Sequence, residues 1–132
     1  MGRRVLQIVL LLVSATAVIA LFAVAPTLVH NRVVYGTFAT WEAPPRVDYC
    51  GRRYYPGPES KPQTQAEVVA FLAQNNMHGL TQIATAPSGR PVVANVMSSE
   101  MKARYSTEVC TMEVWVKTGE DAYVPYSLSG GP

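Results

Sequence analysis

The chain has 132 residues, 48% of them hydrophobic and only 15% charged, with a formal net charge of +2. The charge is uneven: Arg3 and Arg4 stand at the N-terminus, while nine basic and nine acidic residues follow His30 and cancel. A neutral C-terminal part has no electrostatic footprint for nucleic acid, and about a hundred residues make one small domain rather than two.

Val5–Val29 reads VLQIVLLLVSATAVIALFAVAPTLV, without one charged side chain. A helix of that length reaches across a hydrocarbon core of about 30 Å with room to tilt. The spacing predicts a cytoplasmic tail over 1–4, a transmembrane anchor over 5–29 and an exported domain over 30–132. The alternative is a cleaved signal peptide and a secreted product. Its best cleavage point, Ala23-Val24-Ala25, is followed directly by Pro26, and the apolar run exceeds the ~7–15 residues usual in a signal peptide. Arg3 and Arg4 before the run set the N-terminus in the cytoplasm and the rest outside, in a cell membrane crossed once. Thr16, Ala20 and Ala23 recur at i, i+4 and i+7, a row of small residues that lets another membrane helix approach closely.

His30–Trp41 (HNRVVYGTFATW) alternates β-branched and aromatic residues and reads as a strand, with Gly36 as a bulge. Val47–Tyr49 and Arg53–Tyr55 flank Cys50-Gly51-Arg52, a tight hairpin. Arg52, Arg53, Tyr54 and Tyr55, with Trp115 further on, are the candidate binding surface for a glycan, an anionic lipid or a protein partner. Strand alternation sets a limit on that reading, since one of two adjacent tyrosines must face inward. Thr64-Gln65-Ala66-Glu67 is a capping box at the start of an amphipathic helix that runs to about Gln74, with Asn75, Asn76 and Gly79 as stop signals.

Thr81–Thr85 and Pro91–Met97 bracket Ala86-Pro87-Ser88-Gly89, a hairpin closed by a type I turn. Ser98–Thr107 reads as coil. Glu108–Lys117 is the clearest strand, with Cys110, Met112, Val114 and Val116 on its core face. Ala122–Leu128 returns as its partner, and Pro125 assigns it to a sheet edge. Ser129–Pro132 is a flexible end. Two cysteines in an exported domain, Cys50 and Cys110, read as one structural disulfide.

The expected fold is α+β: one N-terminal transmembrane helix, then a small, mostly antiparallel β domain with one packed helix and one disulfide. No catalytic constellation, metal-ligand spacing or cofactor motif is visible. His30 and His78 have no partner set, and Glu120-Asp121 reads as a solvated turn. Arginine exceeds lysine eight to three, the bias of a GC-rich bacterial genome. These features point to a non-enzymatic accessory or interaction subunit of a cell-envelope complex, with a membrane-protein partner. The alternative is a module that binds an envelope glycan or lipid.

Overall fold

The computed structural model describes residues 2–77, 79–105 and 110–128. Helix α1 (Gly2–His30) takes in the whole apolar run and buries no residue. Its large side chains lie open, Phe22 at 78% and Ile19 at 69% exposure. A helix apolar on every side, with no protein against it, is a candidate membrane span by length and composition.

The expected strand over 30–41 does not form. The helix continues past His30 as a single π-helical segment, Asn31–Tyr35, and stops at Gly36. A strand at Val33-Val34-Tyr35 would have to break a helix that is already nucleated, whereas extending it needs only one further bond per residue. Gly36 ends it by entering the left-handed region (φ 75°), its N–H bonded to the Arg32 carbonyl at 3.2 Å. The positive φ favours glycine there, and a Cβ would also crowd the Arg46 side chain at 3.3 Å.

Six strands follow: β1 (Val47–Tyr49), β2 (Arg52–Pro56), β3 (Thr81–Thr85), β4 (Pro91–Ala94), β5 (Glu113–Gly119) and β6 (Ala122–Leu128). They form one antiparallel sheet in the order β1-β2-β6-β5-β4-β3, curved into a half-barrel. Both expected hairpins are present. In the first, Tyr49 pairs Arg52 around Cys50 and Gly51, both with positive φ, which is the turn geometry that matches strand twist. A non-glycine residue in that region is uncommon, and Cys50 is fixed there by its bond to Cys110. In the second, the Gly89 N–H closes the turn on the Ala86 carbonyl at 2.8 Å.

Strand β6 lies inside the sheet, between β2 and β5, and not at its edge. Proline fits there for a specific reason. Tyr123 exchanges both backbone bonds with Gln63, at 2.8 Å each, so alternate residues of β6 point their N–H groups that way. Pro125 has the same sense as Tyr123. Its missing N–H falls in the gap between the last β2 pair, Pro56 with Tyr126, and the Gln63 bridge. No ladder bond is lost.

Strand β5 starts at Glu113. Met112 is 70% exposed and Cys110 half-buried, so neither belongs to the core face expected of them; residues 108 and 109 lie outside the described segments. Ser99–Tyr105, expected as coil, is a short helix α3, opened by the Ser98 hydroxyl, which accepts the Met101 N–H at 3.3 Å. Residues 106 and 107, His78 and Ser129–Pro132 lie outside the described residues.

Helix α2 (Gln65–Gln74) has the expected capping box: Glu67 N–H bonds the Thr64 hydroxyl and the Thr64 N–H bonds the Glu67 carboxylate. The Thr64 N–H and the Thr64 hydroxyl, 2.6 and 3.0 Å from the Glu67 carboxylate, hold that carboxyl below its usual range. Asp121, at the β5–β6 turn, adds a further bond, accepting the Gln65 N–H at 2.8 Å. The Glu120-Asp121 turn thus caps a helix.

The sheet is covered on both faces. Val68 and Leu72 of α2 pack on Trp115 and Tyr123. The opposite face holds the main core, with Tyr35, Val47, Tyr54, Val92, Val114, Val116 and Tyr126. Three tyrosines there each donate a hydroxyl to a carbonyl outside the regular ladder: Tyr35 to Thr85 (2.8 Å), Tyr54 to Thr111 (2.7 Å) and Tyr126 to Pro44 (2.6 Å). Burial pushes the Tyr126 hydroxyl up to about 12, so it remains a donor at any physiological pH.

A methionine-lined groove as the candidate binding site

The five residues read as one binding surface are divided by strand alternation. Tyr54 is fully buried and Trp115 is 1% exposed beneath α2. Tyr55, on the other face of β2, keeps 37% exposure, and Arg52 and Arg53 are exposed. Arg53 pairs with Asp48 at 3.7 Å, and Arg46 reaches the same carboxylate at 3.4 Å. The Arg53 side chain is 63% exposed, and a pair at the surface contributes little to stability, whereas the Arg46–Asp48 pair is partly buried. They do occupy a guanidinium that would otherwise face a ligand.

Thr16, Ala20 and Ala23 lie exposed on α1. The Thr16 hydroxyl donates back to its own helix, to the Leu12 and Val13 carbonyls, at 2.9 Å each. The Thr16 hydroxyl in that row is therefore not an unpaired donor.

A concavity among the described residues lies elsewhere. A groove of about 680 Å³ runs between the end of α2, the β4–α3 connection and the approach to β5. Four of the chain's five methionines line it: Met77, Met97, Met101 and Met112. Phe71 forms one wall, 39% exposed, its ring edge-on to Trp115 at 6.1 Å between centroids. The Cys50–Cys110 bond, with Cα atoms 6.0 Å apart, ties the approach to β5 to the β1–β2 turn and so fixes one rim. Asn75 and Asn95 stand at the edge. Their side-chain amides donate to the Phe71 and Gly79 carbonyls, 2.8 and 2.9 Å away.

Such a lining favours shape-adaptable apolar contact. Methionine is unbranched and polarizable, and it re-packs against different partners at low cost. The volume lies in the range typical of ligand sites, roughly 300–1,000 Å³. The one carboxylate in the groove is Glu113, half-buried and paired across the ladder with Ser127, whose hydroxyl lies 3.4 Å away. Burial raises its pKa, and the Ser127 hydrogen bond opposes that only in part. Among the described residues no group of three or more His, Cys, Asp or Glu side chains converges as a metal site.

Glu113 gives a pH prediction with a defined sign. Its folded pKa is raised, so the folded state holds the proton more tightly than the unfolded chain. The stability this group contributes is greatest below the ordinary glutamate range and is lost as pH rises through the raised value. Glu113→Gln is expected to melt at a higher temperature than the wild type at neutral pH and at the same temperature at about pH 4. A thermal melt at the two pH values checks this.

Sequence reasoning missed the groove. Its methionines are scattered over 36 positions with no period, and Met112 sits in an alternating pattern that reads as core. Compared with protein-family models, curated proteins and solved structures, the chain matches none.

Proposed function

We propose that this chain is a membrane-anchored, non-enzymatic accessory subunit of a cell-envelope complex. Its β domain lies outside the cytoplasm, and the methionine groove receives an apolar segment of a protein partner. The observation that carries the reading is the gathering of four methionines and Phe71 in one open groove. Exposed apolar side chains concentrated in a concave site mark an interaction surface. The disulfide supports an oxidising compartment, and α1 supports a membrane tether.

The test is a photo-crosslinking amino acid at Met112 in the full chain, in its native membranes, with exposed Gln82 of β3 as the control position. One stoichiometric protein adduct is expected from position 112 and none from 82. Phe71→Asp, an exposed substitution, is expected to abolish it. Equal labelling from both positions, or an adduct indifferent to Phe71→Asp, overturns the reading.

The groove's volume favours a second reading, an envelope lipid as the occupant. Native mass spectrometry of the purified protein separates the two: a co-purifying lipid mass that Phe71→Asp removes would favour the second.

A further inference from the structure

The segment that leaves α1 carries exposed apolar side chains that are no part of the groove lining. Val33 is 58% exposed, Phe38 56% and Trp41 79%. They are held close to the helix exit. Gly36 ends the helix with a positive φ, and the Arg32 guanidinium lies over the Phe38 ring at 5.6 Å from its centroid while its Nη1 donates to the Gly36 carbonyl at 2.5 Å. Arg46 donates to the Val33 carbonyl at 2.6 Å, which fixes the loop against the helix end. Trp41 follows Phe38 by three residues, so it lies within about 11 Å of it.

The position of these side chains along α1 can be worked out. Arg4 and Arg32 are 28 residues apart, about 42 Å at the helical rise, which matches the ~40–45 Å of a bilayer with its headgroups. With Arg4 at one headgroup layer, Arg32 stands at the other. Phe38, stacked on Arg32, shares its depth. We infer that Val33, Phe38 and Trp41, with Arg32, form a membrane-seating surface that inserts into the lipid headgroup layer around α1 and presses the domain onto the bilayer. The chemistry suits that layer. Tryptophan and phenylalanine bury apolar rings at the acyl boundary, and the exposed Arg32 guanidinium suits lipid phosphates, while Arg46, paired with Asp48, holds the loop in place. In water alone, a 79% exposed tryptophan beside an exposed phenylalanine has no comparable partner.

The inference rests on α1 lying in the membrane, and the experiment distinguishes the two failures. The full chain is reconstituted into vesicles of phosphatidylcholine and phosphatidylglycerol. The emission of Trp41 is taken as the difference between wild type and Trp41→Phe. Trp115, buried in the core, contributes equally to both, and a side chain as open as Trp41 can be replaced without loss of packing. The expected result is loss of Trp41 emission with lipids brominated near the top of the acyl chains, less loss with bromine near the chain ends, and protection from aqueous iodide. Carbonate extraction is run on the same vesicles. A chain that resists carbonate but whose Trp41 is quenched by iodide and not by bromolipid overturns this inference alone. A chain that carbonate releases overturns the membrane reading and this inference with it.

Discussion

Reduction of the Cys50–Cys110 bond lowers the melting temperature of the β domain by roughly 15–30 °C. The bond spans 60 residues of sequence, and in the chain-entropy account a loop that long costs the unfolded state about 4 kcal/mol when closed. For a domain of this size each kcal/mol moves the midpoint by about 4–8 °C. The total stability of such domains is only ~5–15 kcal/mol, so one covalent link carries a large share of it. The structure gives a second reason for a strong effect. The link joins the β1–β2 turn, at one side of the sheet, to the segment entering β5, and Tyr54 reinforces the same junction through the Thr111 carbonyl. Calorimetry of the full chain in detergent, with and without reductant, makes the measurement. A melt indifferent to reductant would show that the cysteines are unbonded in the protein as it is made.

Trp115→Ala is expected to destabilise the domain by about 3–5 kcal/mol, the usual cost of emptying a buried aromatic site. The loss is not spread evenly. Trp115 is the shared floor under Val68 and Leu72 of α2 and one wall of the groove, and its indole N–H donates to the Gln63 side chain at 3.2 Å. With the ring gone, α2 retains Tyr123 beneath it and the capping bonds at its start. Hydrogen exchange should therefore show residues 65–77 losing protection before the β5–β6 ladder does. Uniform loss of protection across the sheet would mean that α2 and the sheet open as one unit.

How far the sequence could be read is clearest where local chemistry is self-sufficient. The apolar run, the Thr64–Glu67 capping box, the two hairpin turns and the cysteine pair each carry their reason within a few residues or one covalent bond, and all are present. The misreadings share a different physics. Val33-Val34-Tyr35 has strand propensity, but propensity is a weak preference beside the momentum of an existing helix. Pro125 argues for an edge only if its missing N–H would have met a neighbouring strand, and that depends on where Gln63 comes to lie. The methionine groove is assembled from three segments between Phe71 and Trp115 that have no common period. Burial of Tyr54 beside an exposed Tyr55 followed from alternation alone, whereas burial of Trp115 depended on α2 folding over it.

Between α1 and the domain there is no slack. The helix runs unbroken into Asn31–Tyr35, and Asn31 and Tyr35 are already inside the folded body, with Tyr35 anchored to Thr85. A tether would let the domain tumble; this junction makes it the head of a lever. In the proposed setting, any change in the inclination of α1 is transmitted whole. A change of tilt of about 20°, within the ordinary range for membrane helices, would carry a point about 25 Å from the junction through roughly 9 Å. The groove's height and bearing would then be set by the thickness of the bilayer and by whatever packs against α1, so that events within the membrane would be read out directly as the presentation of a binding face above it.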